Sequence, residues 1–216
     1  MTPTMLIDVC AAGIVGLSVL LAVTRSIGRS IWLVAAQSAL GAVAAIGVGI
    51  SLGLGHLVLA GVLAFGAKVI VYPLILGAML RASSVSVERH PYVGPRLSLA
   101  AAIVIVFAAS AATADLDLPA SLGGSRALPA AIAAMLTGLF LMMSRRKVLS
   151  LLIGLLVFEN GLSLAAFALT YGMPLVVEFG ILFDLLIVVT VGWVYARRML
   201  RVFGTLSTDE LRSLRG

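Results

Sequence analysis

Four ionisable residues, Lys68, Glu159, Glu178 and Asp184, interrupt stretches of sequence that are otherwise almost wholly apolar. A charged side chain in hydrocarbon costs about 2.5–3.5 kcal/mol on insertion scales, so such residues persist where they face one another or a polar interior. Two chemistries suit them. A lysine beside a carboxylate can form a static ion pair that locks helices together. Alternatively, burial can bring charged and neutral forms close in free energy, so that each group gains and loses a proton as part of a relay. Acids outnumber bases here, so one carboxylate must be protonated or find a partner outside the chain. That imbalance favours the relay.

The elements that position these residues follow from apolar run length, about 20 residues being needed to cross a bilayer and about 17 the lower limit. Seven runs qualify: 5–24, 31–52, 57–80, 97–114, 127–144, 148–170 and 175–196. Some connections are only four residues long, so neighbouring spans are expected to be antiparallel hairpins. At 1.5 Å per residue, Lys68 lies about 16 Å into a hydrocarbon core about 30 Å thick. Glu159 lies about 16 Å from the near end of its span and Asp184 about 14 Å from the start of its own. Three ionisable groups on three helices thus share one depth. Glu178, about one turn inside its boundary, can snorkel to the headgroups.

Composition agrees with an all-α, polytopic membrane bundle. Of 216 residues, 62% are hydrophobic and 11% charged, and mean hydropathy is +1.18. A soluble domain carries nearer a quarter charged residues, so a water-soluble enzyme is excluded. The net charge of +6 would raise nucleic acid as a partner of a soluble protein. Here the basic residues lie between apolar runs and read as topology signals facing anionic lipid, not nucleic acid. Thirteen of the fifteen fall in alternate connections and the tail: Arg25, Arg29, Arg81, Arg89, Arg96, Arg145, Arg146, Lys147, Arg197, Arg198, Arg201, Arg212 and Arg215. The positive-inside rule then puts the N-terminus outside and the C-terminus in the cytoplasm of a cell inner-membrane protein. Residues 1–6 carry no basic residue, so the first run is expected to remain as an anchor. Residues 1–196 form the membrane domain and 197–216 a short cytoplasmic tail, in which Ser207 and Glu210 read as a capping box.

Local sequence supports a polar seam at Glu159: Asn160 follows it, and Ser163 lies one turn later on its face. Gly154 and Gly161 share another face, where a neighbouring helix can approach closely. Gly49 and Gly53 are a weaker signal of the same kind. Pro129 fits the first turn of the fifth span. Pro73 is expected to kink the third span beyond Lys68 and free backbone carbonyls. No nucleotide-cradling glycine motif and no nucleophile–base constellation is present. The single cysteine, Cys10, excludes an internal disulfide, a zinc ribbon and a cysteine-held iron–sulfur cluster. His56 and His90 lack ligand-spaced partners. No cofactor is therefore expected in this chain, and any redox centre would lie in other subunits.

Arg145-Arg146-Lys147-Val148-Leu149, Leu152-Ile153-Gly154-Leu155 and Glu159-Asn160-Gly161 resemble hydrogenase-4 component E. That family accompanies membrane-bound group 4 nickel–iron hydrogenases, including formate hydrogenlyase-type complexes. The resemblance continues through Val177-Glu178-Phe179-Gly180, Asp184, Arg197-Arg198 and 206–216, and in the first half through Gln37-Ser38, Lys68 and Pro73. More distantly, 148–196 resembles the small K subunit of respiratory complex I (chain 4L in mitochondria) and its counterpart in Mrp antiporters. The likeness implies antiporter-like and other membrane subunits as partners. It also implies a polar path linking a redox arm to pumping subunits through two membrane-embedded glutamates. The second of these falls on Asp184. The first falls on Leu156, a departure; Glu159 lies three residues on, within about 60° of the same face and about 4.5 Å along the axis.

The expected function is that of a non-catalytic membrane component that couples redox chemistry elsewhere to proton movement, with Lys68, Glu159, Asp184 and Glu178 as relay candidates. The alternatives are a structural scaffold held by static ion pairs and a component of a cation/proton antiporter with no redox arm.

Overall fold

The computed structural model describes residues 3–82, 92–114 and 124–170, together with 190, 192–194 and 198. The described residues are helical, without strands. The helices are α1 (Pro3–Val23), α2 (Ile27–Leu52), α3 (Gly55–Ala64), a π-helical segment (Phe65–Val71), α4 (Tyr72–Ala82), α5 (Pro95–Ala112), α6 (Gly124–Ser144) and α7 (Val148–Thr170). Because α3, the π segment and α4 run on without a break, the helices supply six stretches long and apolar enough to cross a membrane. These correspond to the first six expected spans. The expected seventh, the tail with its capping box, and both Glu178 and Asp184 lie outside the described residues, except for the few positions near 190–198.

Two boundaries and the role of one glycine differ from expectation. The second span begins at Ile27, so Arg29, expected in a loop, stands exposed in the first turn of α2. An arginine tolerates that place because its long stem carries the charge outward. Helix α6 begins at Gly124, which puts Pro129 inside the helix and not in its first turn. The hydrogen bond it omits falls in the second turn, close to an end that already has unshared groups. At Gly53, φ is 67°, and the left-handed glycine closes α2 as its C-cap, its N–H and that of Leu54 reaching back to carbonyls of the last turn. Only glycine adopts this conformation at no steric cost, so Gly53 ends the helix and only Gly49 packs, against Val58 of α3.

Two hairpins form the core. α1 and α2 turn through residues 24–26, and α6 and α7 through 145–147. α6–α7 is the most extensive contact, and α1 against α6 and α2 against α7 join the hairpins into four helices. α3 and α4 flank α2, and α5 lies outside against α1 and α6. The outward face of α5 shows Leu97, Val104 and Phe107, the last 73% exposed, as apolar solvent permits.

The turns gather at one end. The buried Arg145 guanidinium donates to Ala22 O (2.8 Å) and Thr24 O (3.1 Å), carbonyls at the end of α1. Tyr92 N–H donates to Ser144 O at 3.0 Å, and the Arg146 guanidinium lies 4.0 Å over the Tyr92 ring. Among the described residues, the first and fifth connections and Tyr92 thus share one end of the bundle.

Candidate functional site: a buried lysine–glutamate pair

Lys68 occupies the middle of the π-helical segment. Pro73, buried in the first turn of α4, has no N–H to give, which frees a carbonyl one turn earlier. Over the residues just before the proline the chain widens into π hydrogen bonding, as helices often do at functional positions. The wider turn carries Lys68 inward, only 7% exposed.

Its Nζ donates to Glu159 Oε1 at 2.5 Å. Ser163, one turn along α7, donates to the same oxygen at 3.0 Å and stands 3.4 Å from Lys68 Nζ. The other carboxylate oxygen, Glu159 Oε2, is buried with no hydrogen-bond partner among the described residues. Tyr72, one turn after Lys68, is buried as well, 1% exposed. Leu156, where the chain 4L pattern has its first glutamate, is buried in an apolar cluster with Ile31, Val34 and Ile153. The carboxylate of this chain therefore stands one turn further along α7, where Lys68 reaches it.

Asn160 points the other way. Its Nδ2 donates to Gln37 Oε1 (3.2 Å) and Ser38 Oγ (2.9 Å), and Ser38 Oγ donates to Asn160 Oδ1 (3.1 Å). Gln37 Nε2 continues to Ser18 Oγ (2.8 Å) and Ile14 O (3.2 Å), and Ser18 Oγ to Ile14 O (2.8 Å). All four side chains are buried. Gly154 and Gly161 lie against α6: a Cβ at Gly154 would stand 3.0 Å from Gly138 O, and one at Gly161 2.7 Å from Met135 N. The two helices meet through their backbones, and that contact sets the rotation of α7.

Of the expected relay residues, Lys68 and Glu159 are brought together, with Ser163 and Asn160 beside them. Sequence reasoning named Gln37 only as part of the resemblance, and it passed over Ser18, which had the signal of a polar residue in an apolar run. Asp8, one of whose oxygens is buried without a partner among the described residues, is a carboxylate inside the first span. Arg145 was read as a loop charge, and its burial had no local signal.

Residues 127–216 match the family model described as NADH-ubiquinone/plastoquinone oxidoreductase chain 4L. An uncharacterized protein of Mycobacterium tuberculosis is 34% identical over 218 residues, covering 98% of this chain and 97% of that one. Hydrogenase-4 component E of Escherichia coli K12 is 31% identical over 153 residues, 71% of either chain, and that of Shigella flexneri matches equally. No solved structure matches. By the identity and coverage of the component E match, the chain belongs to the hydrogenase-4 component E family.

Proposed function

We propose that this protein is a non-catalytic, seven-span subunit of a hydrogenase-4-like, complex I-like assembly in the cell inner membrane, its N-terminus outside and its tail cytoplasmic. In this reading the redox centres belong to other subunits, and antiporter-like membrane chains are its partners. Lys68 and Glu159 exchange a proton as the assembly turns over, and Asp184 and Glu178 take part from the last span. The observation that carries the reading is Glu159 Oε2. A static ion pair in hydrocarbon is stable when every lone pair is engaged. Here one oxygen holds Lys68 and Ser163 while the other has no hydrogen-bond partner among the described residues, which suits a carboxylate that takes on a water or a proton.

The 2.5 Å contact itself favours the scaffold reading, in which the pair only ties α7 to the third span. Glu159→Gln in the assembled complex separates the two. The relay requires normal subunit stoichiometry with proton coupling lost. Failed assembly, with coupling kept in whatever complex forms, would favour the scaffold instead. Co-purification of the tagged chain from mild detergent with an antiporter-like subunit tests the partners.

A further inference from the structure

We propose that the Gln37–Asn160 amide pair, with Ser18 and Ser38, is a proton-tight seal that closes the four-helix core to the proton handled by Glu159. This rests on the relay reading of Glu159. The seal leaves the side of α7 facing the π segment as that proton's route.

Glu159 and Asn160 are adjacent, about 100° apart around α7, so the titratable pair and the amide cluster stand on neighbouring faces of one helix. Among the described residues no hydrogen bond joins them. On the α3 side the groups are an ammonium, a carboxylate and a hydroxyl. On the α1–α2 side they are two amides and two hydroxyls, none of which exchanges its charge state in the working pH range.

Every hydrogen in that cluster is spent. Gln37 gives its two to Ser18 Oγ and Ile14 O, and Asn160 gives its two to Gln37 Oε1 and Ser38 Oγ. Ser38 and Ser18 give theirs to Asn160 Oδ1 and Ile14 O. Donation runs from Asn160 through Gln37 and ends on a backbone carbonyl. A carbonyl has no proton to pass on, and the amide of Gln37 cannot be bypassed within the chain of bonds. Relaying a proton would require an amide to take the high-energy imidic form.

The hairpins explain why the seal is an amide. Gln37 and Ser38 are the eleventh and twelfth residues of α2, and Glu159 and Asn160 the twelfth and thirteenth of α7. At matching depth, one hairpin carries the acid and the other its neutral isostere. A glutamate at 37 would set a second carboxylate one amide away from the first.

The test uses the full chain reconstituted in vesicles containing a trapped pH-sensitive dye, with an inward potential set by potassium and valinomycin. Wild-type vesicles are expected to match protein-free ones. Gln37→Glu is expected to raise proton leak about tenfold or more, equivalent to about 1.4 kcal/mol off the barrier, with Asn160→Asp as a second route to the same effect. Adding Glu159→Gln to Gln37→Glu should return the leak to background. A leaking wild type, a tight Gln37→Glu and Asn160→Asp in monodisperse protein, or a leak that survives Glu159→Gln would each overturn the seal. A tight Gln37→Glu beside a coupling-deficient Glu159→Gln removes the seal and keeps the relay. A fully coupled Glu159→Gln removes both.

Discussion

In the α6–α7 hairpin the helices touch backbone to backbone: a Cβ at Gly138 would stand 2.5 Å from Phe158 N and 2.7 Å from Gly154 O. In the α1–α2 hairpin the corresponding close approach is softer. A Cβ at Gly13 would meet only the Leu40 side chain, and the polar tie between the helices is Gln37 reaching a carbonyl of α1. The hairpins share turn length and depth but not contents. The one that holds the charge is held rigidly by glycine, and the one that holds the amide is held by hydrogen bonds. Without a hydrophobic force between helices in lipid, small residues and interhelical hydrogen bonds are the two ways to join them. A carboxylate that must meet Lys68 needs the less adjustable of the two.

The largest effect expected from breaking this comparison is at Lys68. Lys68→Met leaves Glu159 buried opposite no cation, a loss of about 3–5 kcal/mol, and Lys68→Met with Glu159→Gln recovers most of it. Reversible unfolding in detergent–lipid micelles measures both, and an additive pair would contradict the coupling. Gly138→Val comes next, at about 3 kcal/mol, the upper end of overpacking costs, because the new atoms meet backbone. Gly13→Ala is expected to cost under about 1 kcal/mol, since Leu40 can turn aside. Equal losses at the two glycines would end the distinction between rigid and adjustable hairpins.

Gln37→Leu removes three hydrogen bonds from the softer hairpin, and its cost is about 1–2 kcal/mol because the released groups find other partners in a membrane. It should leave the Lys68–Glu159 pair intact, which isotope-edited infrared spectra of the carboxylate can check. Tyr92→Ala removes the ring under Arg146 and is worth about 0.5–1 kcal/mol at an interfacial site.

Membrane spans were legible because their signal is local: apolar runs of sufficient length gave the six described spans with boundaries within a few residues. The end of the bundle that gathers Arg25, Arg145 and Arg146 was legible from charge alone. Depth along a helix is a matter of counting, so Lys68 and Glu159 could be placed level with each other before any contact was known. The departures all involve position around the axis or effects that reach across helices. Pro73 announced a disturbance but not that the hydrogen bonding would widen ahead of it. Arg145 looked like any basic loop residue until α1 ended against it.

By itself, the sequence determined an all-helical membrane chain, the level of its buried charges and the face of α7 on which Ser163 joins Glu159. Those follow from hydrocarbon thickness, rise per residue and helical periodicity. Only the tertiary structure decided that Glu159 turns to Lys68 while Asn160 turns to Gln37. Rotation is set where Gly138, Gly154 and Gly161 let two backbones meet, by contacts that no single stretch of sequence contains.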